Sequence, residues 1–128
     1  MDSRFTLHGT SQRAYTFDVC DMNQPFRPIA GLYVFASRMR AGGALLYGQG
    51  VVPAYIGQAS NLADRLRNHE VWPRAQRMGA LLVLAMAWPG NEQTRLAAEL
   101  DLIRRHNPTL NTAGRTGRSL LGDWPKRA

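Results

Sequence analysis

The chain has 128 residues, enough for one domain and little more, since single hydrophobic cores usually close within about 100–200 residues. A hydrophobic fraction of 45% and a charged fraction of 20% are those of an ordinary globular protein, and no apolar run approaches the roughly 18 residues of a helical membrane span. Sixteen basic against nine acidic side chains give a net charge of +7, which points to a polyanionic partner, nucleic acid first.

The opening stretch MDSRFTLHGT lacks the basic and then apolar segments of a secretory signal, so a cytoplasmic protein is expected. Cys20 is the single cysteine and the chain has three histidines, which rules out an internal disulfide and makes a structural zinc site implausible. All basic residues except Lys126 are arginine, whose planar fork grips phosphate in two-pronged fashion. The base composition of a GC-rich genome is an equally good reason for that preference.

Residues 1–28 hold two short β-prone runs, at 4–7 and 15–19, before Pro25 and Pro28. They are read as an N-terminal extension laid on the core. From Gly31 the run GLYVFA predicts a strand, and after a glycine-containing stretch at 38–50 residues 51–57 predict a second. Ser60 or Asn61 can cap a helix with Leu62 and Leu66 on one face, extending to about Glu70.

The nine-residue apolar run at 80–88 predicts a central strand, although its Ala, Leu and Met also allow a helix. Asn91 can cap a long second helix, with Leu96, Leu100 and Ile103 as its buried stripe and His106-Asn107-Pro108 as its stop. The expected order is ββαβα. A glycine-rich basic tail follows from residue 113, with Arg115, Arg118, Lys126 and Arg127 free to meet phosphate and Leu120, Leu121 and Trp124 able to dock it.

Within the second helix, at about 100° per residue, Glu99 falls in or beside the apolar arc. A carboxylate there needs a partner: a salt bridge to Arg95 one turn earlier, or a metal ion. Arg65 and His69 are four apart, so a helix continuing to Glu70 sets them side by side next to the Leu62/Leu66 stripe, as a purely structural pair or as one facing an anion. Tyr33 and Tyr55 each sit two residues from a glycine, in Gly31-Leu32-Tyr33 and Tyr55-Ile56-Gly57, and tyrosines in strands are common in any case. No dinucleotide fingerprint or phosphate-binding Gly-Lys-Ser/Thr loop occurs.

Taken together, Gly31-Leu32-Tyr33, Tyr55-Ile56-Gly57, Ser60-Asn61-Leu62, Arg65-Leu66 to His69, Arg95 to Glu99 and Asn107-Pro108-Thr109-Leu110-Asn111 resemble, in this order, the GIY-YIG nucleases. The resemblance covers about residues 29–112 and implies an α/β (α+β) domain, a three-stranded antiparallel sheet flanked by helices. It also implies metal-dependent hydrolysis of DNA phosphodiesters.

Carried over by position, Glu99 would hold one divalent cation, Mg²⁺ or Mn²⁺, and Tyr33 or Tyr55 would be the general base. Arg65 would neutralise charge on the phosphate, His69 would assist a tyrosine or the phosphate, and Asn111 would orient a neighbouring group. Arg67, Arg95, Arg115 and Arg118 are the expected nucleic-acid contacts.

Leu32 stands where isoleucine is usual, and Gln58 where some members carry a lysine. The expected partner is DNA, with RNA as a second option and no membrane. Specificity would come from the extension, the tail, a homodimer or a partner protein. The competing reading is a nucleic-acid-binding module that keeps the scaffold without cleaving.

Overall fold

A computed structural model describes residues 4–38 and 50–113. Strands β1 (Arg4–His8), β2 (Ala14–Cys20), β3 (Gly31–Arg38) and β4 (Val51–Ala59) precede helices α1 (Leu62–Arg67) and α2 (Trp72–Arg77). Strand β5 (Leu82–Ala87) and helices α3 (Glu92–His106) and α4 (Thr109–Ala113) complete the order. Most of the expected stretch at 38–50 and the basic tail, with Arg115 and Arg118, lie outside the described residues.

The fold is mixed α+β, but among the described residues its sheet has five strands where three were expected, in the order β1-β2-β5-β3-β4, and every pairing is antiparallel. The difference comes from residues 4–20, which form a hairpin and pair through β2 with β5, Val19 opposite Leu84. In β1 and β2 the alternation Phe5, Leu7, Tyr15, Phe17 faces the core while the residues between them face solvent. Five-residue runs of this kind predict strands but not their partners.

Two hydrophobic clusters lie on opposite faces of the sheet. Leu32, Val34, Ile56 and Leu84 meet Ala98, Leu102 and Ile103 of α3 on one face. Tyr33, Phe35, Tyr55 and Val83 meet Leu62, Leu66, Ala75 and Leu110 of the three short helices on the other. Strand β3 is therefore buried on both sides for its first six residues. Pro53 is tolerated in β4 because that strand is the sheet's edge and carries a bulge between its pairings with Phe35 and Ala36.

The Asn61 side chain accepts from Asp64 N at 3.1 Å and so caps α1. That helix stops at Arg67, earlier than expected, and the chain turns through Asn68 into α2, whose first turn contains Pro73. Asn91 caps α3 through Thr94 N at 2.8 Å, and Asn107 ends it in the left-handed conformation, φ 45°.

The buried face of α3 is rotated from the expected stripe. Leu96 is 42% exposed, and Arg95, Ala98, Glu99, Leu102 and Ile103 are buried instead. Hydropathy alone favours the leucine, but Arg95 and Glu99 have partners that reward burial.

Asp101 of α3 accepts from Ser11 N (2.9 Å), Ser11 Oγ (2.7 Å) and Tyr15 Oη (2.8 Å), which pins the β1–β2 turn to the helix. Burial, together with this carboxylate, pushes the Tyr15 hydroxyl up to about 12.

Candidate active site

The first glycine-tyrosine triplet lies in β3 and the second in β4, and their register sets Tyr33 opposite Gly57 and Phe35 opposite Tyr55. A side chain at Gly57 would fall on the Tyr33 ring and hydroxyl, so this glycine is what allows the tyrosine to lie across its neighbour strand. Gly31 is needed in the same way, because a Cβ there would meet the Met86 carbonyl and approach Leu62 Cδ1 to 2.6 Å. The glycines thus serve the tyrosines and the seating of α1 rather than a turn.

Tyr33 and Tyr55 sit diagonally across the two strands, ring centroids 6.2 Å apart. His69 stands edge-on to Tyr33, Phe35 and Tyr55, at 5.3, 5.0 and 5.3 Å. It lies beyond the end of α1, in the turn before α2, so it does not share a helical face with Arg65 as expected. The turn still brings it to the tyrosines: His69 Nε2 is 2.7 Å from Tyr33 Oη, and Val71 N donates to His69 Nδ1 at 3.0 Å. With Nδ1 accepting, the neutral ring carries its hydrogen on Nε2 and donates it to the Tyr33 oxygen.

Arg65, from the last turn of α1, donates Nη1 and Nη2 to the two oxygens of Glu70, each at 3.0 Å. Glu70 holds Arg65 firmly protonated by accepting from its guanidinium, against the opposing effect of burial. The guanidinium in turn draws the Glu70 carboxyl down to about 2, so the pair stays charged on both sides until pH falls to that value. Glu70 was not visible from spacing, because it lies five residues on and past the helix end. The only cue was an acidic residue directly after His69.

Arg65 also lines a groove of about 540 Å³ between α1 and the start of α3, together with Gln58, Asn61, Arg67, Glu92 and Arg95. Arg67 pairs there with Asp64 at 3.2 Å, both side chains well exposed. Arg95 is buried and donates Nε to Gln58 Oε1 at 2.7 Å. The glutamine at this position therefore holds an arginine from α3 against the end of β4.

Glu99 lies one helical turn beyond Arg95 and is 3% exposed. Among the described residues no three of His, Cys, Asp and Glu cluster as a metal cage. A single hard carboxylate is nonetheless a donor set that suits Mg²⁺ or Mn²⁺, which keep most of their water ligands.

Asn111, from α4, accepts from Ile56 N at 2.8 Å and donates to Ile56 O at 2.9 Å. It thus satisfies the outward backbone of the edge strand between Tyr55 and Gly57. Asn111→Ala should lower stability by about 2–3 kcal/mol, since it leaves two backbone groups of a buried residue without this partner. Thermal unfolding should move down by about 10 °C, and an unchanged midpoint would show that the bond carries no weight.

No family model and no curated protein matches the chain. Among solved structures, it is similar to the GIY-YIG N-terminal endonuclease domain of UvrC from Thermotoga maritima, in a point mutant bound to its catalytic divalent cation. The identity is 26% and the TM-score 0.48, covering 65% of this chain and 82% of that one. A second point mutant of the same domain, also bound to the cation, is similar at 25% identity and a TM-score of 0.47, with the same coverage.

Proposed function

We propose that this protein is an endonuclease hydrolysing DNA phosphodiester bonds with the help of one divalent cation. The observation that carries the reading is the convergence of Tyr33, Tyr55, His69 and Arg65, from two strands, a turn and a helix, beside an arginine-lined groove. A module that only binds nucleic acid needs the arginines but has no use for an imidazole aimed at a buried phenol.

Tyr33 is the base in this scheme. The His69 Nε2–H donates to its oxygen, and such a bond strengthens when the oxygen carries charge. Tyr33 first gives up its own proton to solvent, and the phenoxide then takes a proton from the attacking water as that water's oxygen bonds to phosphorus. The P–O bond opposite breaks, and the departing oxygen is protonated by solvent.

Arg65 neutralises charge on the phosphate, while Arg67 and Arg95 border the path of the strand. Glu99 would hold the cation, which when bound supplies further positive charge at the phosphate.

Arg65→Ala should lower the cleavage rate about 100-fold or more, in line with the loss of one preorganised contact to developing charge. Arg65→Lys should recover little, because lysine restores charge but not the fork. A fully active lysine variant would show that any cation suffices.

The test of the whole reading is incubation with supercoiled plasmid, single-stranded DNA and branched DNA, with Mg²⁺, Mn²⁺ or chelator. Nicked or linear product that chelator abolishes is expected. Binding without cleavage under every condition would leave the non-catalytic module.

A further inference from the structure

Glu70 has no place in the scheme above, yet it makes the most complete contact that any charged group offers Arg65. Each oxygen of its carboxylate accepts one Nη of the guanidinium, both at 3.0 Å. The Arg65 side chain is 26% exposed and that of Glu70 69%. Exposed ion pairs add little to stability, about 0–1 kcal/mol, so holding the fold together is a weak reason for this geometry.

An end-on grip does something else. It uses two of the five N–H groups of arginine and fixes the guanidinium plane, leaving Nε–H and the outer hydrogen of the Nη on the same side as a second, side-on fork. Glu70 also follows His69 directly. The short turn that delivers the imidazole to Tyr33 at 2.7 Å therefore delivers the carboxylate to Arg65 as well. A single backbone segment sets the orientation of two groups that the proposed reaction needs.

We propose that Glu70 is a positioning residue: it grips Arg65 end-on and turns the remaining edge of the guanidinium toward the phosphate that is cut. The inference rests on the nuclease reading above and adds to it a residue that does not itself touch substrate. It differs from a carboxylate that merely fills the phosphate's seat, since that arrangement would slow binding and leave the chemical step intact.

The experiment compares wild type, Glu70→Gln, Arg65→Ala and the double variant on supercoiled plasmid with Mn²⁺. Because Glu70 is exposed and the amide keeps its shape, folding is not at stake. Glu70→Gln should lower kcat about tenfold with KM within about twofold, as small misplacements of a catalytic group do. In the Arg65→Ala background the same change should have no further effect, because the two residues act as one unit. In the metal-free protein, the Arg65 Nη–H resonances should stand apart in the wild type and merge with the other arginines in Glu70→Gln.

An active wild type with Glu70→Gln equally fast, or faster with a lower KM, overturns the inference alone. So does a tenfold loss that persists without Arg65, or Nη–H resonances unmoved by the substitution. A wild type that cleaves nothing removes the nuclease reading itself.

Discussion

Glu99→Ala should abolish cleavage, by about 1,000-fold or more, while DNA affinity is kept. Holding a divalent cation at a phosphate is worth several kcal/mol of charge stabilisation, and about 4 kcal/mol corresponds to that factor. The carboxylate is almost fully buried on the inward face of α3. Removing one member of a buried, partnered group destabilises the fold by about 3–5 kcal/mol, so rates are compared at a temperature where the variant is folded. Two measurements separate its roles. Mg²⁺ or Mn²⁺ should raise the thermal midpoint of the wild type by preferential binding to the folded state, and it should not raise that of the variant. A variant that still cleaves at the wild-type rate, or one destabilised where the wild type shows no response to metal, would make Glu99 a structural partner.

Tyr33→Phe should cost a factor of about 100–10,000 in rate, the usual contribution of a positioned general base. It also takes from His69 the oxygen to which its Nε2–H points, in a pocket where the imidazole is 3% exposed. A stability loss of about 1–3 kcal/mol is expected alongside the loss of activity. Rates must therefore be compared at a temperature where the variant is fully folded. Tyr55→Phe should cost less than tenfold, because Val71 N and His69 Nε2 organise the other hydroxyl. The reverse ranking, with Tyr55→Phe the more damaged, would assign the base to Tyr55.

Much of this arrangement was readable in the sequence, and the limits have physical causes. The strands beginning at Gly31 and Val51, the caps Asn61 and Asn91 and the stop at Asn107 are local signals, written in periods and capping residues, and they fall where expected. The burial of Glu99 was likewise visible from its angle on α3. What failed was long-range or lay just past an element's end.

Nothing local says that Val19 pairs with Leu84, so the β-prone runs at 4–7 and 15–19 are legible as runs but not as the fourth and fifth strands of the same sheet. Gln58 looked like the loss of a cation, whereas it fixes one from 37 residues away. The helix from Leu62 was carried three residues too far, which put His69 on the wrong surface and hid the grip of Glu70 on Arg65. Asn111 was given a neighbour to orient, and only the edge position of β4 reveals that the neighbour is backbone.

The order of strands in the sheet also governs how the chain can assemble. β1 with β2, and β3 with β4, join strands consecutive along the chain, yet neither pair is hydrogen-bonded to the other, and β5 is the bridge between them. A nascent polypeptide therefore carries two separate ribbons, with the inner edges of β2 and β3 open, until residues 82–87 have left the ribosome. Contacts this distant in sequence close slowly, and open edges invite pairing with other chains in the interval. A fragment ending before β5 is then two marginal ribbons rather than a smaller domain.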